Sequence, residues 1–362
     1  MKKLIACILL LAGLFCFMCG CGTSSGDSVT ASQPIPSGSE TGPEEQVAQE
    51  MVPLNIGYNP DYCCAWVLTT AKNMGYFEEE GFDVTLYEFS SGPEQVSAME
   101  SGTLDIVSIG TGAHKLAATG SCTIFCFSHL SDAERVMGLV SHGVTSLENL
   151  QGKKVGYASG TASETILLTA LASVGLTMED IEAYDMDTSS LATAMISGTI
   201  DACATWSPND LTIIEELGDD AQILAKSSDY TDVYVGPLSF AVSNEYAQEN
   251  HEQLVALTRA LYKAKDYASV EENRDEVAEF VAEQCGLDYD AIYVQRYDGD
   301  FISGEQTYQY AVDGTLRDYY ELYETSAIES GTIEEEQALE LDDFIDFSVM
   351  IEAGEALYGA KS

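Results

Sequence analysis

The chain has 362 residues, of which 60 are acidic and 15 are basic, so its formal net charge is -45. This charge argues against binding to nucleic acid and against docking on an anionic membrane surface, because both would repel it. A hydrophobic content of 46% is that of a globular chain with a sizeable core, long enough for two ordinary domains or one large one.

The N-terminal segment carries an export signal. Two lysines precede an uncharged apolar run over residues 4–18. That run is too short to span a bilayer comfortably and has the length of a signal-peptide core. It closes with Cys19-Gly20-Cys21, which resembles the lipobox of bacterial lipoproteins, in which the cysteine is acylated and becomes the mature N-terminus. The small Gly20 makes Cys21 the predicted lipidation site, and the alternative is a secretory signal cut at 22–25; both predict export.

Residues 22–50 are rich in Ser, Thr, Gly, Pro and Glu, which predicts a flexible linker. From Pro53 onward, strands and helices alternate at the spacing of a parallel α/β sheet. The predicted elements of this first unit are strands at 54–58, 83–87 and 104–109 and helices at 65–74 and 93–99.

A second unit repeats this layout. Its predicted elements are strands at 154–157, 181–184 and 200–205 and helices at 163–174 and 189–197. The near-copies SGTLD at 101–105 and SGTID at 197–201 favour two homologous lobes.

After Pro237 the pattern predicts a strand at 238–243 and then mainly helices. Amphipathic spacing predicts helices at 252–269, 274–285 and 338–357. Tyrosines between 308 and 323 are interpreted as packing between helices rather than as part of a site.

Six cysteines lie beyond the predicted signal and anchor: Cys63, Cys64, Cys122, Cys126, Cys203 and Cys285. They have no C-x-x-C spacing and few histidines accompany them, so the pattern predicts no metal site. They either form disulfides, as Cys63–Cys64 or Cys122–Cys126, or lie buried as small apolar side chains, and we favour burial.

Four small, polar or glycine-containing turns mark a candidate binding site. In an open α/β sheet, ligands lie beyond the carboxyl ends of the strands. Each turn alone is equally typical of a helix cap or a tight turn, but four in corresponding places favour a ligand site. The turns are Tyr58-Asn59-Pro60-Asp61-Tyr62, Ser90-Ser91-Gly92, Gly110-Thr111-Gly112 and Ser159-Gly160-Thr161-Ala162-Ser163.

Both tryptophans fall in segments expected to face this site, where aromatic walls suit a small-molecule cleft, although a core role stays open. The candidate ligand-binding residues are therefore Tyr58, Asn59, Asp61, Tyr62, Trp66, Ser90, Ser91, Gly92, Gly110, Thr111, Gly112, Ser159, Gly160, Thr161, Ser163, Trp206 and Asp210.

No catalytic arrangement is recognisable. The four histidines are scattered, and there is no G-x-S-x-G elbow, P-loop, H-E-x-x-H or GxGxxG after a suitable strand. We expect a binding protein without a cofactor rather than an enzyme.

Three segments carry a family resemblance: MGYFEEEGFDVTLYEFSSGPEQVSAMESGTLDIVSIGTG (74–112), LENLQGKKVGYASGTASETILLTALASVGL (147–176) and SGTIDACATWSPN (197–209). They resemble the nitrate/sulfonate/taurine solute-binding proteins of ABC transporters, which include binders of thiamine-pyrimidine precursors. The resemblance runs from about Leu54 to Arg259.

This resemblance implies an α/β, two-lobed periplasmic-binding-protein-like fold of type II, with two crossover hinge strands and a helical C-terminal part. By analogy the crossovers lie near 140–144 and 236–239, which gives a first lobe of 51–141 with 239–362 and a second of 142–238. The implied partners are a small-molecule solute and ABC permease and ATPase subunits, with a monomer held at the membrane by the lipid on Cys21.

The charged residues near the candidate loops narrow the chemical class of ligand that we expect. The candidate loops contain no arginine, Lys115 and Arg135 are the nearest cations, and Asp61, Glu164 and Asp210 place carboxylates near three of the loops. A buried carboxylate repels a lone anion, so we expect a positive or hydrogen-bond-donating nitrogen, as in an amine, taurine or an aminopyrimidine. The alternatives are a lipoprotein that senses a ligand for a membrane signalling partner and an enzyme making the thiamine pyrimidine.

Overall fold

A computed structural model of the protein describes residues 51–359. The predicted signal, the linker and Cys21 lie outside the described residues. The ten strands of this part are β1 Val52–Tyr58, β2 Phe82–Glu88, β3 Ile106–Ile109, β4 Thr123–Leu130, β5 Glu134–Leu139, β6 Lys154–Tyr157, β7 Glu182–Asp185, β8 Ala202–Trp206, β9 Ala221–Lys226 and β10 Pro237–Val242.

Helices cover both units and make up most of the C-terminal part. Over residues 51–359 they are α1 Tyr62–Asn73, α2 Tyr76–Glu79, α3 Gly92–Glu100, α4 His114–Ala118, α5 Ala162–Ser173, α6 Thr188–Ile196, α7 Asn209–Leu217, α8 Asn244–Glu249, α9 His251–Ala268, α10 Arg274–Cys285, α11 Tyr289–Tyr293, α12 Gly304–Asp313, α13 Thr315–Glu329, α14 Leu341–Phe344 and α15 Phe347–Tyr358. No helix within this range is both long and apolar enough to cross a membrane.

The strands form two sheets with the same layout, ordered β2-β1-β3-β10-β4 and β7-β6-β8-β5-β9. In the first, β1 is parallel to β2 and β3, and β10 is antiparallel to β3 and β4. In the second, β6 is parallel to β7 and β8, and β5 is antiparallel to β8 and β9. In each sheet one antiparallel strand follows a crossover from the other lobe: β10 in the first sheet and β5 in the second. This arrangement confirms the two-lobed α/β fold.

The two near-copied segments perform the same local task in each lobe. The Asp105 carboxylate accepts a hydrogen bond from the backbone N–H of Asn55 at 2.7 Å, and the Asp201 carboxylate accepts one from Lys154 N–H at 2.9 Å. The preceding glycines, Gly102 and Gly198, have φ of +77° and +68°, a conformation that favours glycine. The repeated sequence therefore ties the third strand of each unit to its first.

The expected crossover at 140–144 is wrong. Strand β5 already belongs to the second sheet, so the chain changes sheet between Leu130 and Glu134. It returns between Lys226 and Pro237, just before the expected second crossover at 236–239. Two buried apolar runs separated by a short polar link look continuous in sequence, and only sheet pairing reveals that they lie in different lobes.

The predicted helix at 338–357 is also interrupted. Ile345 pairs with Ile124 at the edge of β4, and the Asp346 carboxylate then caps α15 by accepting hydrogen bonds from Ser348 and Val349 N–H. The tyrosine interpretation is confirmed, because Tyr320 and Tyr323 are buried in the core of the first lobe.

The six cysteines of the described residues are free thiols, and all are buried. The interpretation of Cys63, Cys64, Cys122, Cys126, Cys203 and Cys285 as small buried side chains, rather than as disulfides, is thereby confirmed. Within residues 51–359 no cluster of three or more His, Cys, Asp or Glu side chains is arranged to hold a metal ion.

Candidate functional site

A narrow cavity of about 50 Å³ lies between the two lobes, at the carboxyl ends of their parallel strands. We call it the inner cavity. Its walls come from both lobes and from the link between them: Asn59, Asp61, Cys63, Cys64, Gly92, Pro93, Gly110, Gly112, Ala113, Ser131, Ala133, Glu134, Thr161, Ala162, Trp206, Ser207 and Leu238.

The turn after β1 supplies the first polar wall. The Asp61 carboxylate caps α1 by accepting a hydrogen bond from Cys64 N–H at 2.7 Å. The Asn59 amide oxygen accepts a hydrogen bond from the Gln95 amide at 2.7 Å, and the Gln95 oxygen accepts one from Ser108 N–H at 3.1 Å. The turn is therefore held between the N-terminus of α1 and strand β3.

The lobes touch across the cleft. A Cβ atom built on Gly112 would lie 2.0 Å from the carbonyl carbon of Thr161. The Thr188 hydroxyl donates a hydrogen bond to the Ser90 carbonyl at 3.2 Å, and the Lys115 ammonium lies 3.5 Å from the Glu164 carboxylate. These contacts close the cleft over the inner cavity.

Two buried acidic residues, one from each lobe, line the inner cavity. Asp61 is 5% exposed and Glu134 is 3% exposed. Burial raises the pKa of Asp61 to about 7, with a further contribution from the Glu134 charge. Burial also raises the pKa of Glu134, although its carboxylate accepts a hydrogen bond from the Ser227 hydroxyl at 2.8 Å.

Arg135, the residue after Glu134, does not line the inner cavity. Its guanidinium donates to the carbonyls of Asp132 and Glu134 at 2.6 and 2.9 Å. It also pairs with the carboxylates of Asp298 at 3.3 Å and Asp210 at 3.8 Å. Burial raises the pKa of Asp298 to about 6 and also raises the pKa of Asp210. This cation is thus occupied by acids behind the cavity wall.

The structure brings seven of the sequence-predicted site residues together at the inner cavity: Asn59, Asp61, Gly92, Gly110, Gly112, Thr161 and Trp206. Outside it, a wider cavity of about 530 Å³ is shared by Asn59, Asp61, Ser90 and Trp206. A neighbouring groove between the lobes is lined by Ser90, Ser91 and Ser159. Gly160 has φ +74° and lies beside Pro93 and Lys115, where it shapes the turn.

The predicted aromatic wall formed by the end of β1 and by α1 is wrong. The Trp66 indole is 0% exposed, donates a hydrogen bond to the Ser128 hydroxyl at 3.3 Å and packs edge-on against Phe301. Tyr62 also packs against Phe301, and the Tyr58 hydroxyl donates to Glu88 at 3.0 Å. These three side chains belong to the core because C-terminal elements distant in sequence cover α1.

Three more predicted residues support the site without lining it. The Ser163 hydroxyl donates to the Ala204 carbonyl at 2.7 Å and accepts from Ala158 N–H at 3.0 Å, which fixes the turn after β6. Asp210 pairs with Arg135, and Thr111 is buried with its hydroxyl directed toward Gly236.

Sequence reasoning missed several wall residues, of which Glu134, Cys63 and Cys64 carry the most chemistry. Glu134 would have been recognised had the crossover been placed at 131–133, since it begins the first strand of the second lobe. The vicinal cysteines follow Asp61 in the first turn of α1, the same turn that the sequence had marked.

Comparison with known proteins shows which family this chain matches. The family model described as "NMT1/THI5 like" matches residues 66–274. A putative binding protein of Brucella abortus is 29% identical over 265 residues, covering 73% of this chain and 82% of that protein. A putative aliphatic sulfonates-binding protein of Bacillus subtilis is 26% identical over 80% of each chain. A formylaminopyrimidine-binding protein of Halalkalibacterium halodurans is 25% identical over 76% of this chain and 77% of its own.

Solved structures share the architecture. The nitrate-binding protein NrtA of Synechocystis PCC 6803 superposes with a TM-score of 0.67 at 13% identity, covering 85% of this chain and 90% of its own. The alkanesulfonate-binding protein SsuA of Xanthomonas axonopodis, bound to MOPS, gives 0.59 at 21% identity, covering 75% and 95%. The desulfurization enzyme DSZB gives 0.58 at 14% identity, covering 83% and 98%. The chain belongs to the NMT1/THI5-like family and has the two-lobed fold of the periplasmic binding proteins.

Proposed function

We propose that this protein is the exported solute-binding component of an ABC importer. It captures a small nitrogen- or sulfur-containing organic solute, of the taurine/sulfonate or aminopyrimidine kind, between its lobes and delivers it to the permease. The observation that carries this proposal is the inner cavity, whose walls come from both lobes and which the Gly112–Thr161 contact closes off. A ligand held by both lobes stabilises the closed arrangement over the open one, which couples capture to a shape that a permease can recognise.

The names of relatives support the solute class. One relative is named for aliphatic sulfonates and another for a formylaminopyrimidine, both of them small polar organic molecules. A wall with a few convergent polar groups and one tryptophan suits small polar organic solutes.

Catalysis is less well supported by the same cavity. Cys63 and Cys64 both line it, but burial and the nearby Asp61 charge raise the pKa of each thiol well above its usual value. A reactive cysteine needs the thiolate, and this environment favours the thiol. A role as a sensor for a membrane signalling partner would use the same cavity and differ only in the partner.

Mass spectrometry of small molecules released from the natively purified mature protein tests the proposal. We expect a stoichiometric small solute in wild-type protein and its loss from the Trp206→Ala variant. Retention of no solute, together with no thermal stabilisation by any sulfonate, amine or aminopyrimidine tested, would refute solute capture.

We further propose that Cys21 anchors the protein to the outer face of the membrane through its lipid. The supporting pattern is the apolar signal core that ends at Gly20-Cys21. Cell fractionation of the full-length Cys21→Ala variant tests this anchor. We expect the protein to move from the membrane fraction to the soluble or secreted fraction, whereas unchanged membrane association would contradict lipidation at this residue.

A further inference from the structure

The charged side chains that line the inner cavity are all acidic. Asp61 and Glu134 are its ionisable carboxylates, and among its walls there is no lysine or arginine. The two nearest cations are committed elsewhere: Lys115 pairs with Glu164 at the rim, and Arg135 pairs with Asp298 and Asp210 behind the wall. An anionic solute would have to bring its charge between two acids, and the Arg135 charge, which acts on Glu134 from behind the wall, is already shared with Asp298 and Asp210.

Helix N-termini are the other usual source of anion-binding donors, and here the chain's own acceptors take up some of their N–H groups. In the first turn of α1, Tyr62 N–H donates to the Gln295 amide oxygen at 3.1 Å and Cys64 N–H donates to Asp61 at 2.7 Å. At the start of α3, Ser90 N–H donates to the Glu94 carboxylate at 3.2 Å, and the following Pro93 has no N–H.

At the start of α5 on the second lobe, two backbone N–H groups are also bonded to acceptors of the chain itself. The Thr161 hydroxyl accepts a hydrogen bond from Ser163 N–H at 3.2 Å, and the Glu164 carboxylate accepts one from Gly160 N–H at 2.8 Å. One backbone N–H at each of these three helix starts is therefore bonded to a carboxylate, that of Asp61, Glu94 or Glu164.

We propose that the inner cavity selects a compact solute with a protonated nitrogen, held between Asp61 of the first lobe and Glu134 of the second, and that it discriminates against sulfonates lacking such a nitrogen. This inference rests on the proposed function and specifies its substrate class. Because one carboxylate comes from each lobe, an ammonium between them attracts both and draws the lobes together. A sulfonate in the same place repels both.

Three probes with one two-carbon skeleton separate the charge classes: ethanolamine, isethionate and taurine are respectively cationic, anionic and zwitterionic. Each is titrated at pH 8 into the mature protein, freed of co-purified solute, by calorimetry and by tryptophan fluorescence, to which Trp66 and Trp206 both contribute. We expect ethanolamine to bind at millimolar concentration or below, roughly tenfold or more tighter than isethionate, with taurine between them. Asp61→Asn and Glu134→Gln should each weaken ethanolamine roughly tenfold or more, because each removes a charge-assisted hydrogen bond and keeps the shape.

Asp83→Asn serves as the matched control, since Asp83 is an exposed acid at the opposite end of strand β2, and it should leave all three affinities unchanged. The inference would be overturned if isethionate bound as tightly as ethanolamine, if both cavity variants bound ethanolamine with wild-type affinity, or if no probe bound at all.

The proposed function is judged separately, by the solute that co-purifies. A co-purifying sulfonate that has no nitrogen and is lost from Trp206→Ala would refute the cation preference but would still support solute capture.

Discussion

The backbone of Gly112 in the first lobe lies directly against the backbone of Thr161 in the second. A Cβ atom on Gly112 would be 2.0 Å from the Thr161 carbonyl carbon and 2.3 Å from its oxygen, where no side chain fits. This contact makes the closed arrangement depend on a glycine at one position.

Gly112→Ala should therefore block full closure. We expect the affinity for the co-purified solute to fall by about tenfold or more, whereas the stability of the solute-free protein, in which the lobes can separate, should stay within about 0.5 kcal/mol of wild type. Calorimetry and chemical denaturation measure the two quantities. Thr193→Ala is the control, because Thr193 is an exposed residue of α6 that lines none of the cavities. An equal loss of affinity in both variants would contradict a closure effect specific to Gly112.

The two tryptophans should behave oppositely. Trp206 lines the inner and the wider cavity, so Trp206→Ala should weaken solute binding by more than tenfold and change unfolding little. Trp66 is fully buried and hydrogen-bonded to Ser128, so Trp66→Phe should cost about 1–3 kcal/mol of stability. Binding and urea unfolding of both variants check this. Loss of binding in Trp66→Phe with full stability would reverse the assignment.

Asp61 should make the solute-free protein less stable as pH rises. Its pKa is raised to about 7 from 3.8, so the folded state holds a proton that the unfolded state releases between these values. The penalty is absent below pH 4 and complete above pH 7, where it reaches about 4 kcal/mol at most. Asn caps a helix as well as Asp, so Asp61→Asn should exceed wild type in stability at pH 8 and equal it at pH 4. A pH-independent difference between the two would contradict this assignment, and Asp83→Asn should show no such trend.

Arg135 should be needed to keep the acids behind the cavity in place. Arg135→Met leaves Asp298 and Asp210 without their cation, which should cost about 3–5 kcal/mol at pH 8. The pKa of Asp298 is about 6 even with Arg135 present, so at pH 5 the acid is protonated and the cost should shrink. Denaturant unfolding at both pH values measures this. Lys154→Met, at an exposed lysine of β6, is the control and should change stability little at either pH.

The turns at strand ends were predictable because they depend on local sequence. Period-two strands, helical spacing and the repeated SGTLD and SGTID segments located both parallel units and the turns containing Asn59, Gly112 and Thr161. The directions of the side chains within those turns were not predictable from local sequence. Trp66 looked like a site residue from its position near Asp61, yet α1 is buried on all sides beneath helices that follow some two hundred residues later.

Local sequence was enough to predict an export signal, an acidic chain, the two parallel α/β units and a candidate site at the strand ends. These follow from composition, periodicity and chain order, all of which are read over short distances along the chain. The pairing of β5 with the second sheet became visible only in the folded chain, and with it the placement of Glu134 and Asp61 on one cavity and the pairing of Arg135 with Asp298 and Asp210. Those relationships join residues by sheet pairing and burial, and the free energy of a buried charge depends on neighbours that local sequence does not reveal.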